Sequence, residues 1–300
     1  MSSALELFAF PECRPLARAL ADELGADLRD VDVHHFPDGE SLVRAERAGT
    51  GPAVLLRSLD DPNRKLVEVL LAADALRRQG ARRLALVAPY LGYMRQDRIF
   101  EVGQSLSQKV MANLLGDAFD EVLSVEAHLH RIKALSEIFS CPARSISAAP
   151  AITRWLRDDA SSSLLIGPDS ESEPWIRAIA DEAGLPFTIA SKVRHGDHDV
   201  RIDLPVLPAG TSRVWIVDDI GSSGTTLETL SRILVERGIE EIGAIVVHAL
   251  FAPDTPTRLR EAGIMTLVSS DSIVHETNAI GLAPLLAAEM DAYGVVRKEI

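Results

Sequence analysis

The chain has 300 residues, 47% apolar and 25% charged, as in an ordinary globular protein large enough to bury one or two cores. Its net charge of −13 argues against broad binding to nucleic acid, which rests on neutralising phosphates, but leaves room for a small polyanion at a local basic cluster. Two cysteines outside any metal-binding spacing, no apolar run near the ~18 residues of a membrane span and no signal-like start predict a reduced, cytoplasmic setting without membrane attachment.

Leu5 to Phe10 reads as a strand, and Pro15 to Leu24 as a helix closed by Gly25. Asp32 to Phe36 and Ser41 to Arg44 read as short strands around the turn Pro37-Asp38-Gly39. Ala53 to Arg57 is a strand, Asn63 to Gln79 a helix stopped by Gly80, and Leu84 to Ala88 a strand. A helix over Ser105 to Leu115 and strands over Val122 to Val125 and Ala143 to Ile146 complete the first half.

The same grammar then restarts. Ala148 to Arg157 is helical, Leu164 to Ile166 a strand, and Glu173 to Ala183 a helix ended by Gly184. Strands follow over Phe187 to Ala190, Val200 to Ile202, Val214 to Val217, Ile242 to Ala249 and Met265 to Ser269. Helices cover Thr257 to Ala262 and Leu282 to Tyr293. Such alternation predicts α/β architecture with parallel sheets and crossover helices. It divides into two similar domains, 1–146 and 147–300, with no long linker and no clear residue-level repeat.

The stretch Val214 to Leu227 carries the clearest chemistry. An apolar strand runs into Asp218 and Asp219, and Gly221-Ser222-Ser223-Gly224-Thr225-Thr226 leads into helical spacing. Small residues at a helix start leave backbone N–H groups free for a phosphate. Two carboxylates repel phosphate and suit a diol or a metal ion. A ligand with both a phosphate and a ribose diol fits the whole, although an ordinary strand–turn–helix has the same outline.

Other loops follow predicted strands, where ligands of parallel sheets bind. In Pro89 to Arg98, Arg95 can bridge phosphate oxygens, while Gln96 and Asp97 can read a base edge or sugar hydroxyls. His128 and His130 share a face if their strand continues, which allows metal or phosphate binding or a purely structural pair. Asp169 is placed for a sugar hydroxyl or a magnesium ion through water, and equally for a helix cap. Lys192 and Arg194 alternate in a polar hairpin suited to covering transferring phosphoryl groups, or simply exposed. Phe36 to Glu40 is a tight acidic turn.

Taken in this order, the pieces resemble the ribose-phosphate pyrophosphokinase (PRPP synthetase) family over nearly the whole chain. Val217 to Thr226 fits its phosphoribosyl-binding pattern, which type I phosphoribosyltransferases share, with Thr225 where a second glycine is common. Residues 89–98 carry the more specific Pro-Tyr-x-Gly-Tyr-x-Arg-Gln-Asp-Arg segment. Phe36 to Glu40, His128, Pro168-Asp169 and Lys192-Val193-Arg194 match further family motifs. Glu126 stands for a usual aspartate, and Ser170-Glu171-Ser172-Glu173 for small residues and glycine.

The resemblance implies two domains of the type I phosphoribosyltransferase kind. It implies diphosphoryl transfer from ATP to ribose 5-phosphate, with magnesium (Mg2+) as cofactor and a homo-oligomer, dimer or larger. Arg95, Gln96, Asp97 and His128 would hold ATP, with Phe36, Asp38 and Glu40 on the adenine, from a neighbouring subunit. Asp218 and Asp219 would hold the ribose hydroxyls and Ser222, Ser223, Gly224, Thr225 and Thr226 the 5-phosphate, with Asp169 at the same site. His128 and Asp169 would place magnesium, and Lys192 and Arg194 would be catalytic. A non-catalytic regulatory homologue, or a phosphoribosyltransferase that consumes PRPP, are the rival readings.

Overall fold

A computed structural model describes residues 5–129, 131–158, 163–194 and 200–292. The chain divides into two compact units, one reaching Ile146 and taking in the described residues from Leu282, the other Ser147–Gly281.

The first unit contains β1 (Glu6–Ala9), α1 (Arg14–Leu24), β2 (Asp27–His35), β3 (Ser41–Ala45), β4 (Ala53–Leu56), α2 (Pro62–Arg78), β5 (Leu84–Ala88), α3 (Ser107–Ala118), β6 (Glu121–Val125) and β7 (Ala143–Ile146). They build a seven-stranded sheet of order β3-β2-β1-β4-β5-β6-β7. Every pairing is parallel except β2 with β3. The β1, β4, β5 and β6 residues are buried throughout, which explains the unbroken apolar runs of β4 and β5, whereas β1 and β6 also bury Glu6, Glu121 and Ser124.

β2 is longer than the sequence suggests. Asp27 to Asp30 pair with β1, and the strand then leaves β1 so that Val31 to His35 pair with β3. Its first half is charged and partly exposed, so apolar patterning is absent there. The hairpin base is tied to α2 by the buried Glu68. Its Oε1 lies 2.7 Å from His35 Nε2 and accepts from Ser41 Oγ at 2.9 Å, while Oε2 pairs with Arg57 Nη1 at 2.6 Å.

The second unit contains α4 (Ala149–Asp158), β8 (Leu164–Gly167), α5 (Glu173–Ala183), β9 (Phe187–Ile189), β10 (Ser191–Arg194), β11 (Val200–Asp203), β12 (Arg213–Gly221), α6 (Thr225–Glu236), β13 (Glu241–Ala249), α7 (Thr255–Glu261), β14 (Thr266–Ser270) and β15 (Asn278–Ile280). Six strands form a parallel sheet, β15-β14-β13-β12-β8-β9, and β10 and β11 form a separate antiparallel pair. Short β15 escaped the sequence reading. β12 continues four residues beyond the predicted end at Val217, through both aspartates to Gly221.

The closing helix α8 (Ala283–Ala292) corrects the expected division at its far end. Its sequence position suggested the second domain, but it packs on α1 and belongs to the first unit. Leu286 and Met290 are fully buried there, and Glu289 pairs with Arg144 at 3.1 Å. Among the described residues, no helix is long and apolar enough to cross a membrane. Leu286→Ala should lower stability by about 3 kcal/mol, measured by urea denaturation. A loss under about 0.5 kcal/mol would mean the helix contributes little to the first core.

Candidate active site

In the second unit the strands end at different heights. β8 pairs with β12 only along Val214 to Ile216, whereas β13 follows β12 to Gly221. Asp218 and Asp219 therefore stand beyond the last β8 pairing, on the carboxyl side of the sheet where α/β proteins bind ligands. Asp219 N–H donates to Asp218 Oδ1 at 2.9 Å. Burial, then the Asp219 carboxylate beside it, then Asp169, push the Asp218 carboxyl well above the usual carboxylate range.

Asp169 begins the turn before α5. Its Oδ1 accepts the N–H groups of Glu171 at 3.1 Å and Ser172 at 3.2 Å, and Ser172 Oγ donates to its carbonyl at 2.7 Å. The carboxylate thus shapes the turn and also contributes charge near Asp218. Among the described residues, no three His, Cys, Asp or Glu side chains form a ready metal cage. Crowded carboxylates without such a cage fit a hydrated magnesium ion, which keeps several waters and takes few direct protein ligands.

The loop after β12 is shaped by glycine. A Cβ at Gly221 would collide with the Phe251 ring. Gly224 has φ 74° and caps α6, and a Cβ there would come within 2.6 Å of Thr255 Cγ2. Ser222 and Thr226 are half-buried, Ser223 and Thr225 exposed, and the Ser223 and Thr225 hydroxyls lie 3.1 Å apart. Thr225 and Thr226 begin α6, so their N–H groups have no acceptor within the helix. The result is a set of donors at a positive helix end. Lys192 and Arg194 stand on β10 opposite Ile202 and Val200. The hairpin tip, 195–199, and His130 lie outside the described residues.

In the first unit, the 89–98 loop turns sharply after β5. A Cβ at Gly92 would lie 2.6 Å from the Leu59 carbonyl, and Tyr93 adopts a left-handed φ of 67° with its hydroxyl donating to Asn63. Arg95 is exposed and makes no ion pair among the described residues. Gln96 has internal partners: Nε2 donates to Ser105 O at 2.8 Å, and Ser107 Oγ donates to Oε1. Asp97 pairs with Arg131 at 2.6 Å. His128 is half-buried beyond β6, after Glu126, which has φ 37°.

The turn of Phe36, Asp38 and Glu40 is exposed. Phe36 meets His34 edge-on at 4.8 Å, and Glu40 N–H donates to Asp38 Oδ1 at 3.1 Å. β1 and β4 lie between β2 and β5, a separation of three strand spacings or roughly 14 Å.

Residues 5–118 match the N-terminal domain of ribose phosphate pyrophosphokinase, and residues 135–282 match the phosphoribosyl transferase domain. A ribose-phosphate pyrophosphokinase of Methanopyrus kandleri is 30% identical over 92% of this chain and 95% of its own. The chain belongs to the ribose-phosphate pyrophosphokinase family. The Pyrococcus abyssi ribose-phosphate pyrophosphokinase is 31% identical over 89% of this chain and 93% of its own. The crystal structure of phosphoribosylpyrophosphate synthetase from Mycobacterium smegmatis superposes with a TM-score of 0.81 at 25% identity, covering 97% of this chain and 98% of that one. As in that family, both sheets follow the type I phosphoribosyltransferase pattern.

Within this family frame, the departure at Ser170 to Glu173 has a local explanation. Ser172 is buried and donates into the Asp169 turn, so a hydroxyl occupies this position without opening the loop. Sequence reasoning missed Phe251 and Thr255, which enforce Gly221 and Gly224. They lie about 30 positions away from these glycines, and only the succession of β13 and α7 brings them near.

Asp218 gives a signed pH expectation. Its carboxyl titrates higher in the folded chain than in the unfolded one, so folded chain holds the extra proton above the ordinary value of 3.8. Stability is therefore lost as pH rises through that window. Asp218→Asn should raise the thermal midpoint at pH 7, with the gain shrinking as pH falls toward 4. A midpoint at pH 7 below that of the unaltered chain would show that Asp218 is stabilised as the anion.

Proposed function

We propose that this chain transfers the β,γ-diphosphoryl group of ATP to the C1 hydroxyl of ribose 5-phosphate, giving PRPP and AMP. The observation that carries the reading is the Asp218-to-Thr226 stretch, paired carboxylates followed by a glycine-opened helix, in a chain whose first half carries the 89–98 loop. A phosphoribosyltransferase needs the former and not the latter.

Asp218 and Asp219 accept hydrogen bonds from the ribose 2- and 3-hydroxyls, and residues 222–226 hold the 5-phosphate through hydroxyls and backbone N–H groups. Asp169 and His128 are the residues that would hold magnesium, which when bound spreads positive charge over the phosphates. Arg95, Gln96, Asp97 and His128 meet ATP, and the bonds of Gln96 and Asp97 within their own chain keep that loop in shape. Phe36, Asp38 and Glu40 take the adenine from a neighbouring copy, a reading supported by the two strands that separate β2 from β5 in the sheet. The working protein is then a homo-oligomer, acting in the cytoplasm.

The C1 oxygen attacks the β-phosphorus and gives up its proton to solvent, and the bond from that phosphorus to the oxygen bridging it to the α-phosphorus breaks. AMP leaves with the bridging oxygen. Lys192 and Arg194 neutralise the charge that builds on the moving group. Positioning and charge do most of this work.

With ATP, magnesium and ribose 5-phosphate, AMP and PRPP should appear in equal amounts by chromatography. No AMP above a protein-free control would overturn the proposal and favour a regulatory homologue. Lys192→Ala and Arg194→Ala should each lower kcat about a hundredfold while changing ATP affinity less than about threefold, since their charge is needed in the transition state. Equal losses in both would make the hairpin a simple binding element.

A further inference from the structure

Arg258, on α7, is absent from every motif above, yet its guanidinium reaches the loop that follows β12. Nη2 donates to the Ser223 carbonyl at 2.7 Å and to Thr255 Oγ1 at 3.3 Å. Nη1 donates to Glu228 Oε2 at 2.9 Å, and Nε to Asp254 Oδ2 at 3.2 Å. One planar fork therefore joins α7, the loop and the first turn of α6.

We infer that Arg258 is a positioning residue for the phosphate loop, holding the Ser223–Gly224 peptide so that the Gly224 N–H faces the ligand. The inference rests on the reading of residues 222–226 as the 5-phosphate site. A peptide is planar and trans, so its C=O and N–H point in opposite directions. With the Ser223 carbonyl drawn to α7, the Gly224 N–H is turned away from α7. Gly224 has φ 74° and lies close over Thr255, so this peptide belongs to a backbone that other residues do not readily adopt. Glu228 steers the fork from the opposite side and is itself held by Arg232 at 3.0 Å.

An exposed ion pair usually contributes little, and Arg258 is 39% exposed. The bond to Ser223 is what sets it apart, because it acts on a carbonyl whose own peptide forms part of the site. Lysine keeps the charge but is a point donor that cannot span loop and helix together.

The test uses the full chain, with magnesium, and saturation curves for each substrate. Arg258→Lys should raise KM for ribose 5-phosphate about tenfold, with KM for ATP within about twofold and the thermal midpoint within about 2 °C. Arg258→Met should go further in the same direction. Glu228→Gln, which keeps the guanidinium but removes its guide, should give a smaller rise, and it serves if the Arg258 variants fail to fold. Variants that fold and bind ribose 5-phosphate like the unaltered chain overturn the inference. A parallel rise in both KM values with a lowered midpoint also overturns it, leaving only a structural role. If the unaltered chain shows no turnover dependent on ribose 5-phosphate, the functional reading fails before this one is reached.

Discussion

β8, β12 and β13 lie side by side, and β12 runs past the end of its β8 pairing. The chain from β8 turns away at Asp169, while β12 carries Asp218 and Asp219 onward with β13 alone beside it. Like charges are thereby held together where the sheet opens. Burial first, and then the charge of Asp219 beside it, raise the proton affinity of Asp218. A diol, offering hydrogens, or a divalent ion, offering positive charge, relieves this crowding. A bare phosphate does not, and in the proposed reading it sits further along, at the start of α6.

The second half of the constraint is space. The loop between β12 and α6 can lie close to the elements that follow β13 only where side chains are missing. Gly221 makes room for Phe251, and Gly224 makes room for Thr255. The same approach brings Arg258 within reach of the Ser223 carbonyl. Sheet end, glycine loop and α7 are therefore one arrangement.

Regular elements were legible where burial was strong. β5 and α5 run over the residues that apolar runs and capping signals mark out. The start of β2 was hidden because Asp27 to Asp30 pair with β1 while partly exposed, and β15 because three residues carry no period. The placement of α8 was hidden for another reason. Its apolar composition is plain in the sequence, but only packing on α1 tells which core it completes. At the candidate site, the acidic and glycine residues were visible because they are neighbours in sequence. Phe251, Thr255 and Arg258 were not, because their part is defined by contacts across the fold. Gln96 looked like a ligand contact from its type alone, and its bonds to Ser105 and Ser107 emerge only from the folding of the loop.

A chain with net charge −13 that handles phosphates needs positive potential at chosen points. Two buried cations at the strand ends of the first unit do not provide it. Arg57 is shared between Glu12 at 2.8 Å and Glu68 at 2.6 Å, with its guanidinium 3.7 Å from the Phe10 ring centre. Lys65 is paired with Asp60 at 2.6 Å. These cations are committed to holding β4, α2 and the hairpin together, and removing Arg57 would leave the buried Glu68 carboxylate unbalanced. In the proposed reading it comes from the N–H groups at the start of α6 and from exposed Arg95. Helix dipoles attract a phosphate without adding a permanent charge. An acidic protein can thus bind polyanions without acquiring the basic surface that would make it bind nucleic acid indiscriminately.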